Sequence, residues 1–128
     1  MDETKLTRAE RLRMMGAIRR LFDSGESGFV YPLRYLWFAE GDTESSVRVL
    51  FSVPKRYHKR ANKRNLLRRR TKEAYRLHKT QLEFPAAVSL DLALIYSAKE
   101  VLDYRRIEAS VQRVLRQIAE QLADVKNR

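Results

Sequence analysis

One short segment of this chain holds the side chains best suited to binding a charged partner. Residues 55–79 contain twelve lysine or arginine residues and a single acidic residue, Glu73. The other 103 residues hold fifteen basic and fifteen acidic side chains, so this segment accounts for the whole net charge of +11. Together with a pI near 10.3, the concentration of cations indicates a polyanionic partner. Nucleic acid is the first candidate and an anionic membrane surface the second.

The residue types that carry out catalysis are scarce or scattered. The sequence has no cysteine, which excludes disulfides, thiol nucleophiles and thiolate zinc sites and fits a reducing compartment. Its two histidines, His58 and His78, both lie in the basic segment, where neighbouring cations oppose a metal ion. The acidic residues match no template for two-metal chemistry. We therefore expect no catalytic side chains and no metal site in this chain.

If residues 62–78 form a helix, a rotation of 100° per residue divides them into two faces. The apolar arc, which we expect to face the core, contains Leu66, Leu67, Ala74 and Leu77. The neighbouring arc has no acid and contains Arg64, Asn65, Arg68, Arg69, Lys72 and Arg76. Glu73 stands at the border, where it can pair with Arg69 or Arg70. Because a face selected only for solubility mixes both signs of charge, the basic arc indicates an anionic partner.

The loop before this helix mixes cations with two rings, Tyr57 and His58. That combination is typical of binding to single-stranded or folded RNA. Asn65, among the arginines, has two open interpretations. It caps or structures the start of the helix, or its amide reads a base or a ribose.

The rest of the chain predicts a scaffold around this helix. At 128 residues we expect a single domain, 1–128, with one modest core. A capping box at Thr7 and Glu10 predicts a helix that starts near Arg8 and ends at Gly25 in a positive-φ conformation. Strands are predicted at 29–38, with Pro32 at an edge or at the strand's start, and at 47–53. We expect these two strands to form a hairpin.

After the basic helix, Phe84 and Pro85 predict a break. The apolar run 88–96 predicts a central, well-covered strand, although Asp91 interrupts it. A long amphipathic helix follows from about residue 101 or 103 to residue 122. The order helix, strand, strand, helix, strand, helix indicates an α+β fold, a small sandwich in which helices pack on a sheet.

Targeting features are missing from the sequence. No apolar run approaches the roughly 20 residues that a membrane span needs. The first fifteen residues carry charges of both signs and no apolar stretch, so they do not resemble a signal peptide. We expect a cytoplasmic protein.

Part of the basic helix resembles the "RNR" signature of the protein subunit of bacterial ribonuclease P. The signature reads Arg-Asn-x-x-Lys-Arg-x-x-Arg-Glu, and this chain matches it from Arg64 and Asn65 to Glu73. Arg68 stands for the usual lysine and Lys72 for the usual arginine, and both substitutions keep the charge. Residues 55–61, 8–25 and 91–97 also resemble the corresponding parts of the family, so the resemblance covers nearly the whole chain.

The resemblance implies a fold and an activity. The motif helix would lie in a left-handed β-α-β crossover, whereas general rules of chain topology predict a right-handed one. The protein would assist a ribonucleoprotein endonuclease that removes the 5′ leader from precursor tRNA, with Mg²⁺ and the RNA subunit performing the hydrolysis. The implied partners are the catalytic RNA and the precursor tRNA, with no membrane and no obligate protein partner.

The resemblance also implies two binding surfaces. The surface for the catalytic RNA would comprise Lys55, Arg56, Lys59, Arg60, Lys63, Arg64, Asn65, Arg68, Arg69, Lys72 and Arg76. A cleft between the first helix and the sheet would hold the single-stranded leader, and its candidates are Ile18, Phe22, Tyr35 and Trp37. Phe22 matches an aromatic of the family, and Ile18 stands where the family often has another. Tyr35 and Trp37 follow from strand alternation, although large aromatics at such positions are core residues more often than ligand sites.

Other functions are compatible with the residues alone. The nearest alternative is a ribosomal or other structural RNA-binding protein that uses the same helix and has no nuclease role. A protein that binds DNA or an anionic membrane is a second class. A stand-alone enzyme has the least support, because the acidic residues form no recognisable site.

Overall fold

The computed structural model describes residues 15–82 and 87–126. In chain order the elements are α1 (Met15–Ser24), β1 (Glu26–Val30), β2 (Leu33–Gly41), β3 (Ser46–Ser52), α2 (Ala61–His78), β4 (Val88–Tyr96) and α3 (Tyr104–Lys126). The predicted α+β class and the order of the helices are confirmed. The predicted capping box at Thr7 and the predicted break at Phe84 and Pro85 lie outside the described residues.

The four strands form one mixed sheet in the order β1-β2-β4-β3. The predicted hairpin between the strands near 29–38 and 47–53 is wrong, because β4 lies between them, antiparallel to β2 and parallel to β3. Every residue of β4 from Leu90 to Tyr96 is buried, which confirms the central position expected of this apolar strand. A parallel pair needs a crossover connection, and α2 lies on the one between β3 and β4. The left hand of that crossover stays a prediction.

The predicted strand at 29–38 is two strands joined by a tight turn. Tyr31 and Pro32 form the turn, and the peptide bond between them is cis. β1 and β2 pair antiparallel on either side of it, from Glu26 opposite Trp37 to Val30 opposite Leu33. Pro32 has no N–H to donate to the hydrogen bonds between strands. It therefore lies in the turn, after β1 ends and before β2 begins.

The helices cover both faces of the sheet. On one face, α2 and α3 pack over Leu33, Tyr35 and Trp37 in the main core. On the other face, Leu21 of α1 packs with a smaller cluster that contains Leu36, Ala93 and Ile95. The first turn of α3 is capped by Asp103, whose carboxylate accepts a hydrogen bond of 3.0 Å from the backbone N–H of Arg106.

Gly25 ends α1 for a different reason from the predicted one. None of the described glycines has a positive φ. Instead, the backbone is crowded here. The Gly25 N–H donates to the carbonyl oxygen of Leu21 at 3.0 Å, and a Cβ at Gly25 would lie 2.4 Å from that oxygen and 3.0 Å from the carbonyl oxygen of Trp37. A side chain would therefore separate the end of α1 from β2.

Substitution of Gly28 by alanine should destabilise the fold. A Cβ at this position would lie 2.3 Å from the Tyr35 ring. That ring cannot yield easily, because it is buried and its hydroxyl donates to Gln117 Oε1 at 2.7 Å. We expect Gly28→Ala to lower the free energy of unfolding by about 3 kcal/mol. Urea denaturation measures this, with Gly41→Ala as control because a Cβ there meets nothing within 4 Å. Equal stability of the two variants would contradict the account.

Candidate nucleic-acid interface

The inward face of α2 differs in part from the predicted one. Leu67 and Ala74 are buried as expected. Leu77 is 41% exposed and Leu66 only half-buried, so those two predictions are wrong. α2 rests on α3 and β3, which turns a neighbouring stripe inward and buries Thr71 and Tyr75 in their place.

Both unexpected core residues are satisfied where they lie. The Thr71 hydroxyl donates to the carbonyl oxygen of Leu67 at 2.8 Å. The Tyr75 ring meets Phe51 of β3 edge to face, with the ring centroids 5.7 Å apart. The fixed inward face determines which side chains point outward.

The outward side of α2 and the loop before it carry the predicted basic residues, and we call this region the α2 basic surface. It is defined by the eleven residues named above for binding the catalytic RNA. Seven of them are exposed, namely Lys55, Arg56, Lys59, Arg60, Lys63, Asn65 and Arg69. Four are half-buried, namely Arg64, Arg68, Lys72 and Arg76. The structure thus brings together the loop and the helix that the sequence singled out.

Arg64 connects the start of α2 to the basic loop that precedes it. Its Nη1 donates to the carbonyl oxygens of His58, at 3.0 Å, and Lys59, at 2.6 Å. The His58 ring is buried, with Nε2 2.7 Å from the carbonyl oxygen of Ala98. Arg64 and His58 together hold the basic loop against the start of α2. No local pattern indicated this anchor, because the partner of His58 lies forty residues further along the chain.

Asn65 does not cap the helix. α2 begins at Ala61, and its cap position, Arg60, makes no side-chain capping hydrogen bond. The Asn65 Oδ1 accepts a bond of 3.3 Å from Arg68 Nη1 one turn later. Asn65 is therefore presented on the exposed side of the helix, beside the arginines.

The single acid of the basic segment pairs differently from the prediction. Glu73 forms its ion pair with Arg76 and not with Arg69 or Arg70. Arg76 Nη2 lies 2.6 Å from Glu73 Oε1, and Arg76 Nε donates to Oε2 at 3.1 Å. This hydrogen bond holds the pKa of Glu73 below its ordinary value. Arg70 instead donates to the carbonyl oxygen of Leu102, so it ties α2 to the segment before α3.

The leader-cleft candidates lie on opposite faces of the sheet. Ile18 packs against the cluster under α1, and Phe22, on the same helix, is 51% exposed. Tyr35 and Trp37 are buried on the face covered by α3. The Tyr35 hydroxyl donates to Gln117, and Trp37 Nε1 donates to Gln121 Oε1 at 2.8 Å. The structure therefore does not bring Tyr35 and Trp37 together with Ile18 and Phe22.

Sequence reasoning missed an ion network that fastens α1 to the sheet. Asp91 is buried, and both its oxygens are engaged by Arg48 of β3, with Nε–Oδ1 at 2.9 Å and Nη2–Oδ2 at 3.0 Å. Arg20 of α1 reaches the same carboxylate at 3.4 Å and also pairs with Glu40 at 2.7 Å. The Arg20 guanidinium lies 4.7 Å from the centre of the Phe38 ring. An acid inside an otherwise apolar strand was the available signal for such a network.

The described ranges contain neither a metal-binding cluster nor a helix that could span a membrane. Residues 15–82 and 87–126 contain no group of three or more histidine, aspartate or glutamate side chains arranged to hold a metal ion. Across the same residues, no helix is both long and apolar enough to cross a membrane.

Comparison with known proteins identifies the family to which the chain belongs. The family model described as Ribonuclease P matches residues 6–119. This chain belongs to the ribonuclease P protein family. The match spans most of the chain and includes α2 and the motif on it, so the predicted resemblance is confirmed.

Individual ribonuclease P proteins agree in sequence and in fold. The ribonuclease P protein component of Porphyromonas gingivalis is 32% identical over 118 residues, which covers 89% of this chain and 86% of the relative. The ribonuclease P protein from Thermotoga maritima superposes with a TM-score of 0.68 at 23% identity, covering 84% of this chain and 96% of its own. The protein from Staphylococcus aureus gives a TM-score of 0.63 at 22% identity, over 90% and 92% of the two chains.

Family membership establishes the activity at the level of the complex. A ribonuclease P protein is the protein component of a ribonucleoprotein endoribonuclease, works with its RNA subunit and binds precursor tRNA during maturation of the 5′ end. The predicted role in tRNA 5′ maturation and the two predicted RNA partners are thereby confirmed. The alternative of a structural RNA-binding protein with no nuclease role is not supported.

Proposed function

We propose that the α2 basic surface is where this ribonuclease P protein binds the catalytic RNA. The observation that carries the proposal is the position of the cations. They lie outward on a helix whose opposite face is buried, in a segment with one acid that is already paired with Arg76. Planar guanidinium groups suit bidentate contacts with phosphates. Within the surface, Arg64 also organises the loop, and Arg68 and Arg69 are among the residues we assign to RNA contact.

The salt dependence of binding tests this assignment. If half of the eleven residues meet phosphates, the logarithm of the affinity should fall with the logarithm of salt concentration with a slope on the order of −4. Filter binding of the full chain to ribonuclease P RNA at a series of salt concentrations measures the slope. A slope near zero would show that the surface does not meet phosphates.

We propose further that the 5′ leader lies on the face of the sheet that carries α1. Phe22 offers an exposed ring there. On the same helix, Ile18 packs against the cluster under α1 and Arg20 is 41% exposed. Stacking on an aromatic ring and pairing with a nearby cation are the usual contacts of single-stranded RNA. Tyr35 and Trp37 are left out of this proposal, because they serve the core under α3.

Removal of the Phe22 ring should weaken leader binding. We expect Phe22→Ala to reduce the affinity of the holoenzyme for precursor tRNA about tenfold, which is the typical effect of losing one stacked base. Affinity for mature tRNA, which has no leader, should be unchanged and provides the internal reference. Phe22→Tyr keeps the ring and should bind like the wild type. Equal losses for precursor and mature tRNA would argue against a leader contact.

We propose that the chemistry belongs to the RNA subunit and that Mg²⁺ is bound mainly by that RNA. In the described part of the chain the acids suit the ion poorly, since the buried carboxylate of Asp91 is already engaged by two arginines. We assign no catalytic residue to the protein. We also propose that residues 1–128 form a single domain and that the protein acts in the cytoplasm.

A further inference from the structure

A second aromatic and basic surface lies at the opposite edge of the sheet from α2. We define the β1-edge surface by Phe29, Tyr31, Arg34, Arg106 and Arg113. β1 is an edge strand that pairs only with β2, whereas α2 packs near β3 at the other edge. Phe29 is 56% exposed and Tyr31 is 42% exposed. Two large neighbouring rings left open to solvent on one strand edge suggest a binding site.

The two rings are held in place. They meet edge to face with their centroids 6.4 Å apart. The Tyr31 hydroxyl donates to Glu100 Oε1 at 2.6 Å, and the Tyr31 carbonyl oxygen accepts from the Ser110 hydroxyl of α3 at 2.6 Å. Because these contacts fix the turn before any partner arrives, less conformational entropy is lost on binding.

Tyr31 stays neutral at physiological pH. The hydrogen bond to Glu100 raises the pKa of its hydroxyl above the ordinary value, while the Arg106 guanidinium acts in the opposite direction. The ring itself therefore adds no negative charge, and the negative charge beside it is that of the Glu100 carboxylate.

Arginines flank the rings on both sides. Arg34 is exposed and lies opposite Phe29 in the β1–β2 register. On α3, Arg106 and Arg113 are exposed and two turns apart, roughly 10 Å along the helix axis. Arg113 borders an open cavity of about 440 Å³ whose other lining residues are Phe29, Val30, Tyr31, Ala109, Ser110 and Gln117. The small side chains of Ala109 and Ser110 leave this space open between the two arginines.

We propose that the β1-edge surface binds single-stranded RNA, with bases stacked on Phe29 and Tyr31 and phosphates contacted by Arg34, Arg106 and Arg113. Interleaved rings and guanidinium groups are the usual composition of such sites. The site does not overlap the α2 basic surface and takes no residue from α1. Arg34 and Phe29 lie at the β1 edge of the sheet face that carries α1, whereas Arg106 and Arg113 belong to α3 on the other face.

Two other partners, a second copy of the chain and an acidic peptide, fit this edge less well. A second copy of the chain, paired strand to strand through β1, would bring the arginines of both copies towards each other. That arrangement costs energy, and the net charge of +11 on each copy adds to it. An acidic peptide would satisfy the arginines but would make no use of two exposed rings. Single-stranded RNA uses both features.

An NMR titration of the full chain with a twelve-nucleotide oligouridylate tests the proposal. The dissociation constant at this site is read from the backbone amides of residues 27–30, while amides of α2 report separately on the α2 basic surface. We expect the double variant Phe29→Ala/Tyr31→Ala to weaken binding at β1 about tenfold or more. The conservative variant Tyr31→Phe keeps the ring and loses the hydroxyl bond to Glu100, so it should bind much more tightly than the double alanine variant and only slightly more weakly than the wild type. Binding read from α2 should be the same in all of them.

A pair of arginine variants separates this surface from general charge. Arg106→Gln/Arg113→Gln should lower the magnitude of the salt slope at β1 by roughly 1.4, because each phosphate contact on a single strand contributes about 0.7. Arg105→Gln/Arg116→Gln removes the same charge from other exposed positions of α3 and should leave the slope unchanged.

The remaining outcomes would overturn the proposal. Unchanged signals at residues 27–30, or equal effects of the two arginine pairs, would show that this edge does not bind RNA. Concentration-dependent dimerisation in sedimentation, lost on Phe29→Ala/Tyr31→Ala, would assign the edge to a second copy. Binding of an oligoglutamate peptide as tight as that of the oligonucleotide would assign it to an acidic protein.

Discussion

Reversal of two charges on α2 should remove most of the affinity for the catalytic RNA. We expect Arg68→Glu/Arg69→Glu to weaken binding on the order of 100-fold at physiological salt, because phosphate contacts are lost and two repulsive charges replace them. Arg69 is exposed, and Arg68 donates to the Asn65 side chain on the same helix. The substitutions should therefore leave the fold intact, which circular dichroism and thermal unfolding can check.

The matched control lies on α3. Arg105→Glu/Arg116→Glu makes the same change of charge at two exposed positions outside the α2 basic surface. We expect it to reduce affinity far less, through long-range electrostatics alone. Similar losses for the two double variants would mean that net charge, and not the position of the arginines, determines binding.

Loss of the buried carboxylate at position 91 should strongly destabilise the fold. Asp91→Asn keeps the shape of the side chain but leaves Arg48 and Arg20 without the charge that both contact. Breaking a buried ion pair by removing one partner costs several kcal/mol. Arg20 and Arg48 remain partly in contact with solvent, at 41% and 27% exposure. We therefore expect a decrease of about 3 kcal/mol in the free energy of unfolding, near the lower end of that range.

Urea denaturation at neutral pH measures this effect, and the structure supplies a control. Glu40→Gln removes the other acid that pairs with Arg20, but that pair is exposed on both sides. Exposed pairs contribute roughly 0–1 kcal/mol, so Glu40→Gln should be nearly neutral. If Asp91→Asn were equally mild, the network would not be what fastens α1 to the sheet.

Local patterns in the sequence predicted the elements that matter most for function. The helix expected at 62–78 is observed as Ala61–His78, and the strand expected at 88–96 is observed as Val88–Tyr96. In both, the signal is strong and local, either a run of apolar residues or a regular helical spacing. The motif on α2 indicated the ribonuclease P protein family, whereas charge alone indicated only a polyanionic partner.

What the sequence could not predict depends on distant partners. The order of the strands depends on β4, which lies between β2 and β3 in the sheet although it follows both of them in the chain, after α2. Alternation correctly separates Tyr35 and Trp37 from Leu36, but it does not say which side faces α1 and which faces α3. The predicted partners of Glu73, Arg69 and Arg70, lie one helical turn before it, whereas the observed partner, Arg76, lies one turn after it. Helical spacing allows an ion pair in either direction. Each of these choices is made by tertiary packing.

The most direct test of the account is leader removal by reconstituted ribonuclease P at low Mg²⁺. Ribonuclease P RNA is incubated with precursor tRNA and the wild-type chain, Arg68→Glu/Arg69→Glu, or the α3 control. We predict that the wild type and the control restore cleavage at the mature 5′ end, that the α2 variant does not, and that the protein without RNA cuts nothing. Full rescue by the α2 variant, or specific cleavage by the protein alone, would contradict the account.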